Sequence, residues 1–299
     1  MWTRAFIDFL RYERGYSEHT IVGYEAALEA FRQYLDSLPE KRDWASLDGD
    51  VIRNWILDRL ESGNSVSTVK LKLSAIKSFY KFLLQRKLIS KDPAHNIVAP
   101  KGKKPLPCYV KDKEMDDLLD NEEIYPDGYV GERDRMILLM FYSTGIRASE
   151  LIGLDIADVD LDMMQLRVVG KRNKERVIPY GDEMGDAIRS YLSSRRYFCS
   201  ANGAESEALF LNEKTKERIT YDKVRLLVNH YLSLVTSQAK KSPHVLRHTF
   251  ATSMLNHRAD LQSVKELLGH EKLSTTEIYT HASFEELKEM YNMAHPRAK

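Results

Sequence analysis

Three prolines fall within nine residues at Ala99-Pro-Lys-Gly-Lys-Lys-Pro-Leu-Pro107. Proline lacks a backbone donor and its ring blocks the preceding turn, so no helix continues through such a stretch. Pro93 adds a stop just upstream. The segment predicts a semi-extended basic linker, 99–107, dividing the 299 residues into bodies at 1–98 and 108–299. That length suits about two domains. Hydrophobic residues make up 43% of the chain, enough for a core in each. No apolar run approaches the roughly 18 residues needed to cross a bilayer. Met1–Phe9 mixes apolar and charged residues, unlike a signal peptide. Cys108 and Cys199 have no CxxC partners, which excludes a disulfide framework and points to a reducing cytoplasm.

Charge is as unevenly spread as proline. The chain holds 45 Lys+Arg against 44 Asp+Glu, a formal +1. A total hides distribution. Ser62–Pro107 carries ten basic residues against Asp92 alone, a net of +9 that leaves −8 for the rest. Lys111–Arg135 holds ten acids and four bases. Such segregation predicts a basic working face.

Apolar spacing supplies the helices. After Ser17, a helix-capping residue by type, Ile21, Tyr24, Leu28, Phe31 and Leu35 recur every three or four residues. Ile52, Trp55, Ile56 and Leu60 do so within Asp50–Glu61, and Val69, Leu73, Ile76, Tyr80 and Leu83 from Ser67. Lys70, Lys77 and Lys81 share the adjoining face of that third stripe. With no acid between them, they suit phosphate contacts as well as plain solvation. Lys101, Lys103 and Lys104 in the linker carry the same two readings. The second part is mixed. Helical runs cover Asp134–Tyr142, Asp182–Tyr197, Tyr221–Leu234, His244–Leu255, Leu261–Leu268 and Phe284–Met293. Leu166–Val169 and Arg176–Ile178 are β-prone around a turn at Gly170–Glu175, and Ala208–Leu211 reads as another strand. The fold class is mainly α with a small β-sheet.

Several residues could carry chemistry. Ser242 and Pro243 suit a helix start, which puts His244 and Arg247 on one face of its first turns. Helix N-terminal donors, an imidazole and a guanidinium together suit an anion. His244 and His248 also sit four apart, as zinc ligands can, but the HExxH glutamate is missing, and no metal is expected. In Leu267-Leu-Gly-His270, Gly269 suits a helix end, with His270 just beyond it. Ser274-Thr-Thr-Glu277 is a capping box opening a short helix that carries Tyr279. Arg147 lies between a helix break at Gly145 and a new start, with Glu150 three residues on. Lys171 sits in the hairpin turn. Taken singly, each has a plain alternative: a capping histidine, a packed tyrosine, an ion pair, a solvated lysine.

Taken together and in this order, Arg147, Lys171, His244, Arg247, His270 and Tyr279 resemble the signature of the tyrosine recombinases. The matching stretches are Thr144–Leu151, Gly170–Arg176, Pro243–Ala251, Leu267–His270 and Ser274–His281, with Arg172 where many relatives carry glycine. The helical first part and the linker resemble the family's core-binding domain and hinge. Within the family, the length without an added arm-binding domain resembles the Xer type. The ending Met293-Ala-His-Pro-Arg-Ala-Lys299 resembles the XerC branch more than the XerD branch.

The resemblance implies a two-domain, C-shaped clamp on duplex DNA. It implies attack by Tyr279, a 3′-phosphotyrosyl intermediate and a free 5′-hydroxyl, without metal, ATP or other cofactor. Arg147 and Arg247 would clamp the phosphate and Lys171 would protonate the leaving oxygen. His244 would assist Tyr279 or orient the phosphate, His270 would donate a hydrogen bond, and Glu150 would position its neighbours. Partners implied are a dif-like DNA site, a XerD-like second recombinase in a heterotetramer, and an FtsK-like septal DNA translocase, in chromosome-dimer resolution. The apolar face Phe284, Leu287, Met290 and Tyr291 would dock on a neighbouring protomer, or else pack on its own domain. Competing expectations are a type IB-like topoisomerase, a mobile-element integrase, and a non-catalytic DNA-binding protein of the same fold.

Overall fold

Polar caps set the helix starts in the first hundred residues. Ser17 accepts the Thr20 backbone N–H and opens α2 (Glu18–Ser37). Asp48 accepts from Asp50 and Val51 and opens α3 (Gly49–Glu61). Ser65 accepts from Thr68 and opens α4 (Val66–Gln85). Each cap pairs a donor that the first helical turn leaves unused, worth about 1 kcal/mol. Ahead of them, α1 (Trp2–Asp8) runs into a π-turn at Phe9–Glu13. The structure, a computed structural model, describes residues 2–40, 42–102, 108–170, 174–269 and 284–298. No helix among them is long and apolar enough to cross a membrane.

The chain divides into two compact units, Met1–Pro105 and Leu106–Lys299. In the first, the three stripes face one core. Ile21, Leu28, Phe31, Ile52, Trp55, Val69, Leu73, Ile76 and Leu83 are all buried there, with Phe6 and Leu10 from the N-terminal turn. Phe31 meets Trp55 edge-on at 5.0 Å, and Trp44 meets Phe79 at 4.9 Å, a favoured geometry for buried rings.

The second unit is built around α6 (Tyr129–Thr144), which is buried along nearly its whole length. Around it lie α5 (Asp112–Asp120), α7 (Ala148–Gly153), α8 (Asp182–Asn202), α9 (Tyr221–Val235), α10 (Pro243–Asn256) and α11 (Leu261–Leu268). The sheet is antiparallel in the order β1 (Val159–Asp160), β2 (Gln165–Val169), β3 (Glu175–Pro179). Val169 pairs with Glu175, and Gly170 N–H donates to the Lys174 carbonyl at 2.7 Å, closing the base of the expected hairpin. Ala208–Leu211 does not form a strand. It makes single bridges, Asp155 to Ala208 and Leu211 to Arg218. The Arg195 guanidinium occupies the Ser206, Ala208 and Leu209 carbonyls that a ladder would use.

The last helix, α12 (Phe284–Ala294), lies on its own unit in this single chain. Tyr291 and Ala294 are buried, with Leu287 and Met290 partly so, against Phe250, Met254, Val264, Leu267 and Leu268. The tail follows them in. Arg297 pairs with Asp116, Asp120 and Glu183. His295 accepts the Arg297 backbone N–H on Nδ1, so its Nε2–H donates to the Tyr142 carbonyl.

Candidate active site

A helix end, a helix start and a helix face converge in the second unit. Gly145 ends α6 in the left-handed region, at φ +59°. A Cβ there would sit 2.4 Å from the Phe250 ring and 2.8 Å from Leu268, so only glycine fits. Ile146 then buries and Arg147 becomes the N-cap of α7. Glu150, three residues on, accepts the Arg147 backbone N–H at 2.9 Å and its Nη1–H at 2.8 Å. Arg147 Nη2 donates to the Gly269 carbonyl at 2.8 Å.

Arg247 comes from α10, one turn after His244. It is buried, and its guanidinium donates to the carbonyls of Gly145 (2.7 Å) and Leu268. Gly269 makes this possible. It ends α11 at φ +63°, which turns successive carbonyls toward the two arginines. Burial pushes the Arg247 guanidinium down to about 10, and Arg147 beside it acts in the same direction, with Glu150 opposing. Arg247 is anchored by neutral carbonyls, and Arg147 by one carbonyl and Glu150, so the pair of guanidiniums leaves positive charge in excess. That arrangement suits a group of two negative oxygens.

Glu150 sits beneath them, 4% exposed. Burial alone would raise its carboxyl, but Arg176 and then Arg147 outweigh it and hold the carboxyl below its ordinary range. Arg176 was not singled out by sequence. It starts the β-prone run after the turn, and its partner is 26 residues away, so no local pattern marks it.

Among the expected residues, Arg147, Glu150 and Arg247 are brought together. His244 lies in the first turn of α10 and is exposed. Lys171, His270 and Tyr279 lie outside the described residues; their flanks Gly170, Lys174 and Gly269 lie within them. Gly170 borders the site, since a Cβ on it would lie 3.5 Å from a Glu150 oxygen. His248 is exposed on α10. Among the described residues, no group of three or more His, Cys, Asp or Glu could hold a metal ion.

Several lysines of the basic segment lie on α4 of the first unit. Lys70 and Lys81 are exposed on α4 and Lys77 is half-buried. Lys77 and Lys81 line a cleft of about 360 Å³ with Arg14, Tyr16, Ser74 and Ser78. Arg14, brought there by the π-turn, is a cation the lysine pattern does not reveal. Lys101 is exposed; Lys103 and Lys104 lie outside the described residues. Arg86, counted in the basic segment, is instead paired with Glu13 and placed over the Phe9 and Phe82 rings.

A helical unit followed by a unit with this arginine pocket is the plan of a DNA strand-exchange enzyme of the tyrosine class. The chain belongs to the phage integrase family, that of the tyrosine recombinases. Residues 109–286 match the Phage integrase family model and residues 4–87 match the Phage integrase, N-terminal SAM-like domain model. The chain is 37% identical to tyrosine recombinase XerC of Bacillus subtilis, covering 99% of this chain and 97% of the relative. It is 38% identical to tyrosine recombinase XerC of Haemophilus influenzae, covering 98% and 96%. Two solved structures share the fold. One is the Tn1549 transposon integrase with transposon right end DNA (TM-score 0.72, 20% identity, 98% of this chain and 99% of that one). The other is the XerH recombinase bound to difH substrate before cleavage (TM-score 0.70, 23% identity, 96% and 83%).

Proposed function

We propose that this site-specific recombinase cuts and rejoins duplex DNA at a dif-like site, through a 3′-phosphotyrosine on Tyr279. The observation that carries the reading is the Arg147–Arg247 pair, half-buried and buried respectively, carbonyl-anchored and short of negative charge. A scissile phosphate brings two non-bridging oxygens to that deficit, and the pentacoordinate state brings more charge still. Tyr279 Oη bonds to phosphorus while the bond to the 5′-oxygen breaks. The tyrosine proton passes to His244 or to solvent, and Lys171 supplies a proton to the leaving oxygen. His270 donates a hydrogen bond to a phosphate oxygen. The exchanged strand's 5′-hydroxyl then attacks the phosphotyrosine and restores both groups. The balance closes without metal, ATP or an oxidant.

The basic cleft on α4 and the linker lysines would hold flanking phosphates. Residues 1–98 would act as the core-binding domain, 99–107 as the hinge and 108–299 as the catalytic domain. The strong likeness to XerC proteins favours a cytoplasmic role in resolving chromosome dimers, with a XerD-like partner in a heterotetramer and an FtsK-like translocase as activator. In that assembly α12 would exchange its own-unit contacts for those of a neighbouring protomer.

The test is a nicked suicide substrate cut from the host replication-terminus region. Wild type should form a covalent protein–DNA adduct at one position and Tyr279→Phe none. An adduct with the Phe variant would remove Tyr279 as the nucleophile. Relaxation of plasmids lacking any site would instead favour a topoisomerase.

A further inference from the structure

Glu150 needs one arginine to balance its charge, and Arg147 supplies it. The second, Arg176, arrives from another element. It is the second residue of β3, the edge strand of the sheet. Its Nη1 and Nη2 donate to Oε1 and Oε2 of Glu150 at 2.6 and 2.9 Å. Such a fork fixes both the distance and the plane of its partner. Its Nε–H points to the Leu267 carbonyl at 3.4 Å. A Cβ on Gly269 would lie 3.1 Å from that Nε, and one on Gly170 would lie 3.7 Å from Nη1. One guanidinium therefore borders the hairpin base, the start of α7 and the end of α11.

We propose that Arg176 is a positioning residue that locks the β2–β3 hairpin to the arginine pocket. The proposal rests on the reading above, in which Lys171 of that hairpin serves the leaving oxygen. Glu150 keeps its hold on Arg147 through the α7 cap without Arg176. Arg176 stands near the hairpin base on the edge strand, where its fork joins β3 to Glu150. Losing the fork should loosen the hairpin more than the clamp. A shift of about 1 Å in a catalytic group costs on the order of 10²-fold in rate.

The leaving group separates the two effects. A 5′-oxygen needs a proton as it departs. A bridging 5′-sulfur leaves as a thiolate, whose parent thiol has a pKa of about 8.5, and does not. Arg176→Lys and Arg176→Gln are compared with wild type in single-turnover cleavage of both substrates, with site binding measured separately. Binding should stay within about twofold and oxygen-substrate cleavage should fall about 10²-fold. Sulfur-substrate cleavage should return to within about threefold of wild type. Lysine should not rescue, because it cannot fork. Equal losses on the two substrates, ordinary cleavage at the wild-type rate, full rescue by lysine, or loss of binding in both variants would each overturn the proposal. A wild type that forms no Tyr279-dependent adduct on either substrate removes the underlying reading instead, so the two failures are distinct.

Discussion

Arg133 and Arg247 are both buried in the second unit, and they are treated in opposite ways. Arg133, fully buried on α6, is met by carboxylates: Asp134 at 2.7 Å and Glu213 at 2.6 Å, with Lys223 completing the set. Burial pulls its guanidinium down, but those acids outweigh it and leave it raised. Two bases face two acids. Arg247 is met by two backbone carbonyls and by another arginine, and its guanidinium stays lowered. Among the described residues of that pocket, Arg147, Arg176 and Arg247 face only Glu150. Burying an unbalanced charge costs stability, and the proposed phosphate would offset that cost. Arg195, also buried, is likewise met by backbone carbonyls, so what sets Arg247 apart is the second guanidinium beside it, Arg147, as the proposed phosphate clamp requires.

The sharpest way to break this contrast is to change each arginine alone. Arg247→Lys keeps the charge but loses the fork, and should cut adduct formation about 10³-fold with folding intact. Near-normal adduct formation would mean that charge alone suffices. Arg133→Met should do the reverse. It strands the buried Asp134, while Glu213 keeps Lys223, and should lower unfolding free energy by about 3 kcal/mol, with cleavage per folded molecule close to wild type. Denaturant titration alongside the adduct assay reads both. A cleavage defect without a stability loss at Arg133 would erase the distinction.

The sequence reading succeeded where one local rule decides the outcome. Ile21, Leu28 and Phe31, or Val69, Leu73 and Ile76, are a stripe in the sequence and a buried face in the fold. Glu150 was visible because a cap partner lies three residues from its N-cap. Arg176 was hidden because its role is set by Glu150 and the end of α11, far along the chain. The strand at Ala208–Leu211 failed for the same kind of reason: Arg195, on α8, takes its carbonyls. The helix α5 hides in the acidic stretch, where only Met115, Leu118 and Leu119 turn inward. The π-turn that brings Arg14 to the α4 cleft leaves no mark in the spacing.

A buried base of another kind sharpens the contrast further. His295 is 4% exposed and, unlike either arginine, can shed its proton. Burial pushes its imidazole down to about 4 from an ordinary 6.5, with the Tyr142 carbonyl acting the other way. The folded state therefore binds fewer protons than the unfolded state between those values. Stability from this group is full above about 6.5 and is lost as pH falls toward about 4. Moving from pH 7 to pH 5 should cost about 2 kcal/mol. His295→Gln should start lower at pH 7 and lack this component of the slope. Parallel curves for the two proteins would show that other groups carry the acid sensitivity.

The smallest effect should appear at the α4 lysines, proposed above to serve affinity rather than chemistry. Lys77 and Lys81 border the α4 cleft, whereas Arg86, on the next turns, is engaged by Glu13 and two rings. A lysine on a phosphate releases counterions, so replacing it should lower the slope of log affinity against log salt by about 1. Lys77→Gln and Lys81→Gln should each do so, and the changes should add because neither residue holds the fold. Arg86→Gln removes the same formal charge from the same segment and should leave the slope nearly unchanged. Cleavage of bound substrate should stay at the wild-type rate in all three. If Arg86 altered the slope as much as Lys77, net charge would matter rather than freedom from a partner. The contrast between paired and unpaired cations would then hold in the buried pocket but not on the surface.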